Sequence, residues 1–300
     1  MIVIYWASFD EDIMLRSLLI KFQLALLVLL GSGIAYTKII VWDLGHVLFE
    51  TSRLSVALYA KTEFLNYMLH GNNPGNVRKL LFDVLDAARV HEPRNTTVPD
   101  EKGNSISNVM CDFQAGTKTP AQLLEEMNQT IERMYAEGYF NHVCERDLIA
   151  KVVQTIFNPE AFAQTTRPIS AGVALLQECI AQRDEQGNTV HEMMILSNWD
   201  PQSFEILKTL AHGKKVLDHF KPENMVVSGF FGTKDMLKPS HTTFKYVLSL
   251  KKDIASSEFV FIDDQIRNVE AARACGMQAI QVVDGNYDDV RQELQRLGVL

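Results

Sequence analysis

Apolar residues in this chain gather into short runs that lead into residues with polar side chains. Ile39-Ile40-Val41-Trp42 ends at Asp43, and Met193-Met194-Ile195-Leu196 ends at Ser197-Asn198. Met225-Val226-Val227 forms a third run. Phe259-Val260-Phe261-Ile262 ends at Asp263-Asp264, and Ala279-Ile280-Gln281-Val282-Val283 ends at Asp284. Near-continuous apolar runs of this length read as strands buried on both faces. Helical patterns fit between them. Ser170 is placed to cap a helix carrying Val173, Leu176 and Ile180 on one face, and Asn268 to cap a short helix through Ala271 and Ala272 that stops at Gly276. A last helix runs from Tyr287 to Leu297 and ends at Gly298. This alternation predicts an α/β fold with a Rossmann-like parallel sheet.

Between Glu50 and Arg167 the pattern changes, and no convincing strand run appears. Helical stretches are expected near 55–70, 76–89, 119–137 and 143–158. Thr119-Pro120 is a start signal, with Thr119 capping and Pro120 at the first helical position. The polar, irregular segment 91–117 reads as a loop. The expected organisation is a core made of 37–53 and 167–300, with an all-helical insert at 54–166 leaving the loop after the first strand.

Residues 1–36 read differently. Arg16 and Lys21 precede the apolar run Leu24–Leu30, and small residues follow at Gly33 and Ala35. The order basic, apolar, small is that of a secretory signal, and cleavage after Ala35 would leave the first strand intact. A membrane span needs ~20 apolar residues, more than this run supplies. The expectation is therefore export to the periplasm or medium, with no stable membrane span after cleavage; the alternative is a cytoplasmic or membrane-anchored protein, or one whose first residues form an amphipathic helix on the core.

Composition narrows the function. A net charge of -8 argues against a nucleic-acid partner, which requires clustered Lys and Arg. The four cysteines, Cys111, Cys144, Cys179 and Cys275, lack zinc-type spacing, and a Cys111–Cys144 disulfide is compatible with export. In an open parallel sheet, ligands bind at the carboxyl ends of the strands. Asp43, Ser197-Asn198 and Asp263-Asp264 all sit at such ends, and Lys238 follows the third strand by a loop. Three carboxylates in one crevice repel one another unless a cation lies between them. Oxygen ligands without His or Cys suit Mg²⁺. A carboxylate can also attack phosphorus, with Lys238 neutralising phosphoryl charge. Arg53 could reach an anionic substrate but reads better as a surface ion pair.

In order, the segments IIVWDLGHVLF (39–49), MILSNWD (194–200), LKPSHTTFKYV (237–247) and FIDDQIRNVEAARACGM (261–277) resemble the haloacid dehalogenase-like hydrolase superfamily. The insert after the first motif resembles that superfamily's first-type helical cap. The resemblance implies Asp43 as nucleophile and metal ligand, Lys238 as its catalytic partner, and Ser197 with Asn198 at the phosphoryl group. It further implies metal ligation by Asp264, by Asp263 directly or through water, and by the backbone carbonyl of Gly45. The implied reaction is Mg²⁺-dependent hydrolysis of a small phosphate monoester. One position departs from the pattern: Gly45 stands where a second Asp usually serves as general acid and base, and His46 is a candidate substitute beside the substrate. A 2-haloacid dehalogenase and a non-catalytic binding protein of the same fold are the competing readings.

Overall fold

The computed structural model describes residues 38–52, 58–88 and 107–300. The signal-like segment 1–36, Arg53 and the stretch 91–106 of the expected loop lie outside the described residues. Among the described residues seven strands occur in chain order: β1 (Ile39–Trp42), β2 (Phe49–Thr51), β3 (Thr166–Pro168), β4 (Glu192–Ser197), β5 (Met225–Val227), β6 (Phe259–Asp263) and β7 (Gln278–Gln281). Five of them form a parallel sheet in the order β5-β4-β1-β6-β7. Register places Trp42 beside Ile195 on one side and Ile262 on the other. Alternation within each run then assigns the faces. Ile40, Trp42, Ile195 and Ile262 belong to one buried cluster, and Ile39, Val41, Leu196 and Phe261 to the other. Fully burying such side chains stabilises the fold by roughly 1.5–3 kcal/mol each.

β2 and β3 pair antiparallel, with Phe49 opposite Pro168 and Thr51 opposite Thr166. Among the described residues the chain between them forms only helices: α1 (Lys61–Leu69), α2 (Asn76–Ala87), α3 (Asn108–Ala115), α4 (Pro120–Ala136), α5 (Val143–Phe157) and α6 (Pro159–Thr165). They bury their own apolar cluster, including Val84, Val109, Phe113, Ile131, Val153 and Phe157. The Thr119 signal is realised as a full capping box with Gln122.

The expectation of a loop through 91–117 fails at α3, which Ser107 caps and Gly116 ends in a left-handed conformation. Its eight residues bury several faces at once. Val109 and Phe113 pack into the insert, while Cys111 and Ala115 pack on Leu237. A helix gripped from two sides shows no single apolar stripe for periodicity to find.

Six further helices cover the sheet: α7 (Ser170–Ala181), α8 (Pro201–Thr209), α9 (Ala211–Leu217), α10 (His241–Ser249), α11 (Ile266–Ala274) and α12 (Tyr287–Arg296). Leu175, Leu176, Phe204, Leu207, Val290 and Leu294 bring α7, α8 and α12 onto one face. Phe244, Val247, Val269 and Ala272 bring α10 and α11 onto the other.

Two expected caps sit elsewhere. Ser170 is the first helical residue of α7, because the Ile169 amide is held by Leu48 O (2.9 Å) and the Ile169 carbonyl accepts the first helical bond from Val173 (2.9 Å). Asn268 lies inside α11, which starts at Ile266 and leaves the Asn268 amide free to reach Asp263. β7 stops at Gln281, short of the expected Asp284; Val283 is already half exposed. The Cys111–Cys144 disulfide does not form. All four cysteines are free, and Cys144 instead receives a hydrogen bond from the Asn72 amide, 3.4 Å away.

α7 is tightly seated where it crosses the turn after β1. The Tyr287 hydroxyl donates to Val47 O (2.6 Å), and a Cβ on Gly172 would lie 2.2 Å from that same carbonyl oxygen. Gly172→Ala is expected to destabilise the fold by about 1–3 kcal/mol through overpacking. Urea unfolding measures this, and an unchanged midpoint would show that α7 is not wedged against the turn.

Candidate active site

The strand order makes β1 central, with β4 on one side and β6 on the other. Chain direction across the sheet reverses at β1, and the carboxyl ends meet there in a crevice. Asp43 follows β1 directly, and its amide continues the ladder by donating to Ile262 O (2.9 Å). The turn that follows is tight. The Phe49 amide donates to Leu44 O (2.7 Å) and the His46 amide to Phe49 O (2.6 Å), with His46 at a φ of 57°.

Lys238 is the centre of the site. Its ammonium lies 2.8 Å from Asp43 Oδ1 and 2.6 Å from Asp263 Oδ2, and its side chain is 1% exposed. The backbone that carries it is clamped by Asn198. Lys238 N donates to Asn198 Oδ1 (2.8 Å), and Asn198 Nδ2 donates back to Lys238 O (3.0 Å). Lys234, four residues earlier, pairs instead with Asp112 at 2.8 Å.

The two neighbouring aspartates differ in what holds them. Asp263 is wholly buried and has both oxygens engaged. Oδ1 accepts from Gln265 N (2.8 Å) and Asn268 Nδ2 (2.9 Å), and Oδ2 from Lys238 and Asn268 (3.0 Å). Asp264 Oδ1 is buried with no hydrogen-bond partner. Asp43, Asp263 and Asp264 can each offer an oxygen within 4.8 Å of the others.

Electrostatics follow from this crowding. Burial, opposed by Lys238 and reinforced by Asp263 and Asp264, lifts the Asp43 carboxyl to about 7. Burial and then Asp263 lift Asp264 to about 6. Burial works against the Lys238 ammonium, but the Asp263 and Asp43 carboxylates outweigh it and hold its pKa above the ordinary lysine value. Three ionised carboxylates against one ammonium leave two negative charges uncompensated. An orphaned buried carboxylate oxygen beside them is what a hard divalent cation would satisfy, so the donor set fits Mg²⁺. The residues able to hold it are Asp43 and Asp264; Asp263 is already committed to Lys238 and Asn268.

Above Asp43 opens a cavity of about 240 Å³, with Ser197, Asn198, Gly45, His46 and Lys238 in its walls. Ser197 ends β4 and is buried, while His46 is exposed at the mouth. The structure thus brings Asp43, Gly45, His46, Ser197, Asn198, Lys238, Asp263 and Asp264 together, while Arg53 lies outside the described residues. A Cβ at Gly45 would meet nothing within 4 Å, and its φ is not in the left-handed region. The backbone therefore does not require glycine there.

Several contributors were not anticipated for the site. Asn268 was read as a cap, although an amide five residues after Asp263 on a short turn into a helix is within reach of that carboxylate. Met110, Phe113, Gln114 and Phe162 enter from the insert, and nothing in the local sequence marks them.

No family model and no curated protein matches the chain. Solved structures do. The HAD-family enzyme BT-2542 of Bacteroides thetaiotaomicron is similar at 15% identity, over 85% of this chain and 98% of that one, with a TM-score of 0.51. The same enzyme in complex with magnesium and inorganic phosphate gives 17% identity, 83% and 96% coverage and a TM-score of 0.48. The L-2-haloacid dehalogenase of Xanthobacter autotrophicus with chloropropionic acid covalently bound gives 15%, 88% and 84%, and 0.43. The strand order, the helical segment leaving after the first strand and the likeness to BT-2542 agree: the chain has the haloacid dehalogenase-like fold.

Proposed function

We propose that this chain is a Mg²⁺-dependent hydrolase of small phosphate monoesters, with Asp43 as its nucleophile. The observation that carries the reading is the buried Lys238 ammonium bridging Asp43 and Asp263 beside the orphaned oxygen of Asp264. Asp43 attacks phosphorus, its new P–O bond forming as the ester P–O bond breaks, and the leaving oxygen takes up a proton. Water then attacks the aspartyl phosphate, releasing inorganic phosphate and regenerating the carboxylate. Lys238 faces Asp43 throughout, so its charge offsets first the carboxylate and then the phosphoryl oxygens. The Ser197 hydroxyl and nearby amides are the phosphoryl contacts, and Asn198 sets the position of Lys238. A Mg²⁺ ion held by Asp43, Asp264 and the Gly45 carbonyl would supply charge neutralisation at the transferring group. With Gly45 carrying no acid, the leaving oxygen draws its proton from His46 or from water at the mouth.

The insert at 54–166 is read as a cap that excludes water and shapes the substrate site. Export through 1–36 belongs to the same reading and rests on its residue order.

Three measurements test this. With purified protein and Mg²⁺, a broad phosphate-ester panel should show turnover that Asp43→Asn lowers on the order of 10³-fold or more. Turnover indifferent to Asp43→Asn would remove the nucleophile, and halide release from 2-haloacids that survives full chelation would put a dehalogenase in its place. Gly45→Asp, whose Cβ would meet nothing within 4 Å, should raise the rate by ~10²-fold or more if a missing acid limits it.

Stability supplies the third. Asp43 and Asp264 have folded-state pKa values raised above their unfolded ones. Their contribution is therefore present at acidic pH and is lost as pH climbs through about 6 to 7, where both become charged. Metal-free protein should thus gain thermal stability in Asp264→Asn at pH 7.5. Saturating Mg²⁺ should raise the melting temperature of the wild type, by about 2.7 kcal/mol of stabilisation at a hundredfold excess over Kd, and leave the variant unmoved. Equal response of both proteins to Mg²⁺ would exclude Asp264 as a ligand.

A further inference from the structure

The cavity above Asp43 has walls of two kinds. Toward the sheet stand Phe49 and Trp199; toward the insert stand Met110, Phe113, Gln114 and Phe162. Their rings interlock across the boundary. Phe162 and Trp199 lie 5.3 Å apart at a tilt of 40°, Phe49 meets Trp199 edge-on at 6.4 Å, and Phe113 meets Phe162 edge-on at 6.2 Å. Such a wall is apolar and hard to deform. Set into it is Gln114, whose side-chain oxygen is buried and has no hydrogen-bond partner. Exchanging the amide's oxygen and nitrogen would change which end is unpartnered without removing the need for a partner.

Gln114 is held by the sheet side of the molecule. Its backbone carbonyl accepts from the Ser228 hydroxyl at 2.6 Å. Two residues on, Gly116 approaches Gly229 so closely that a Cβ would lie 2.4 Å from the Gly229 carbonyl oxygen. Asp112 is ion-paired with Lys234 at 2.8 Å. The end of α3 is therefore registered against the loop after β5, which fixes the backbone from which the Gln114 carboxamide projects.

Charge completes the description. Among the described residues lining the cavity, Lys238 is the one permanent cation, and it is committed to Asp43 and Asp263. The other ionisable walls are the acidic Asp43, Glu50 and Asp200, with His46 at the mouth. Among the described lining residues inside the mouth, where His46 stands, a second anionic group on the substrate would meet apolar rings and carboxylates. At about 240 Å³ the space is also smaller than the usual ligand pocket of roughly 300–1,000 Å³.

We propose that this cavity is the leaving-group subsite and Gln114 its specificity-determining residue, selecting phosphate esters of small, uncharged, ring-bearing alcohols with one further hydrogen-bonding group. Esters that carry a carboxylate or a second phosphate are excluded. The inference rests on the phosphatase reading for its phosphoryl half, so its test separates the two.

The measured quantity is the ratio of kcat/KM between paired esters, with the full chain and Mg²⁺. Wild type should prefer 4-hydroxyphenyl phosphate over 4-carboxyphenyl phosphate by ten-fold or more. Gln114→Lys should reverse that preference by placing a cation in the wall. Gln114→Leu, closer in shape, should lower the ratio of 4-hydroxyphenyl phosphate to phenyl phosphate about ten-fold. A wild type that favours the carboxylated ester, or ratios that neither variant moves, would overturn the proposal. If no ester is turned over, the phosphatase reading falls, and saturation-transfer NMR of the free alcohols decides the subsite alone. Hydroquinone should then show transfer and 4-hydroxybenzoate none in wild type, with the order reversed in Gln114→Lys. Equal transfer to both in wild type would refute it.

Discussion

One buried ammonium organises this molecule. Lys238 sits almost without solvent between Asp43 and Asp263, and neither carboxylate could be tolerated at its depth without it. Removing one partner of such a cluster leaves an uncompensated charge, so the surroundings are built to hold the geometry rather than merely to permit it. Asn198 grips the lysine's backbone from both sides, and Asn268 with the Gln265 amide saturates Asp263. These bonds tie β1, β4, β6 and the segment before α10 to a single point at the carboxyl edge of the sheet. The apolar sheet brings the strand ends together, and the polar cluster fixes which atoms face one another.

How far the sequence foretold this can be traced residue by residue. The sheet was legible because each central strand is buried on both faces, which writes an unbroken apolar run such as Ile39–Trp42 into the chain. The site was legible because the residues at the ends of those runs have few reasons to be acidic unless they meet something. Asn268 was misread because a polar residue near a helix start has two explanations, capping and long-range bonding, and only the position of Asp263 separates them. α3 was missed for a different reason. Its eight residues answer to two cores, so the usual one-sided stripe is absent, and polar sequence flanks it. The cavity lining from α3 and α6 is settled wholly by tertiary packing, with contacts such as Phe162 on Trp199 across 37 residues of chain.

Gly45 shows the limit of motif reading from the other direction. A departure from an expected pattern can mean that the backbone has changed or only that the side chain has. Here the space is open and the backbone ordinary, so the departure is confined to one missing carboxyl group. The cluster of Asp43, Lys238 and Asp264 is unaltered by it, and under the proposed reaction the question narrows to where a single proton comes from.

The antiparallel pair β2–β3 has a consequence for how such a chain can change. The helical segment leaves at Thr51 and returns at Thr166, and these two residues stand opposite each other in one short ribbon. Directly paired residues of an antiparallel ribbon lie only about 5 Å apart at their Cα atoms. Changes of chain length between those points leave that ribbon closed, while the contacts of α3 and α6 with the sheet side, such as Asp112 with Lys234 and Phe162 on Trp199, limit which residues there can change. The helical segment is thus anchored twice, by the ribbon at its two ends and by what α3 and α6 touch on the sheet side, and its freedom to vary lies away from those contacts.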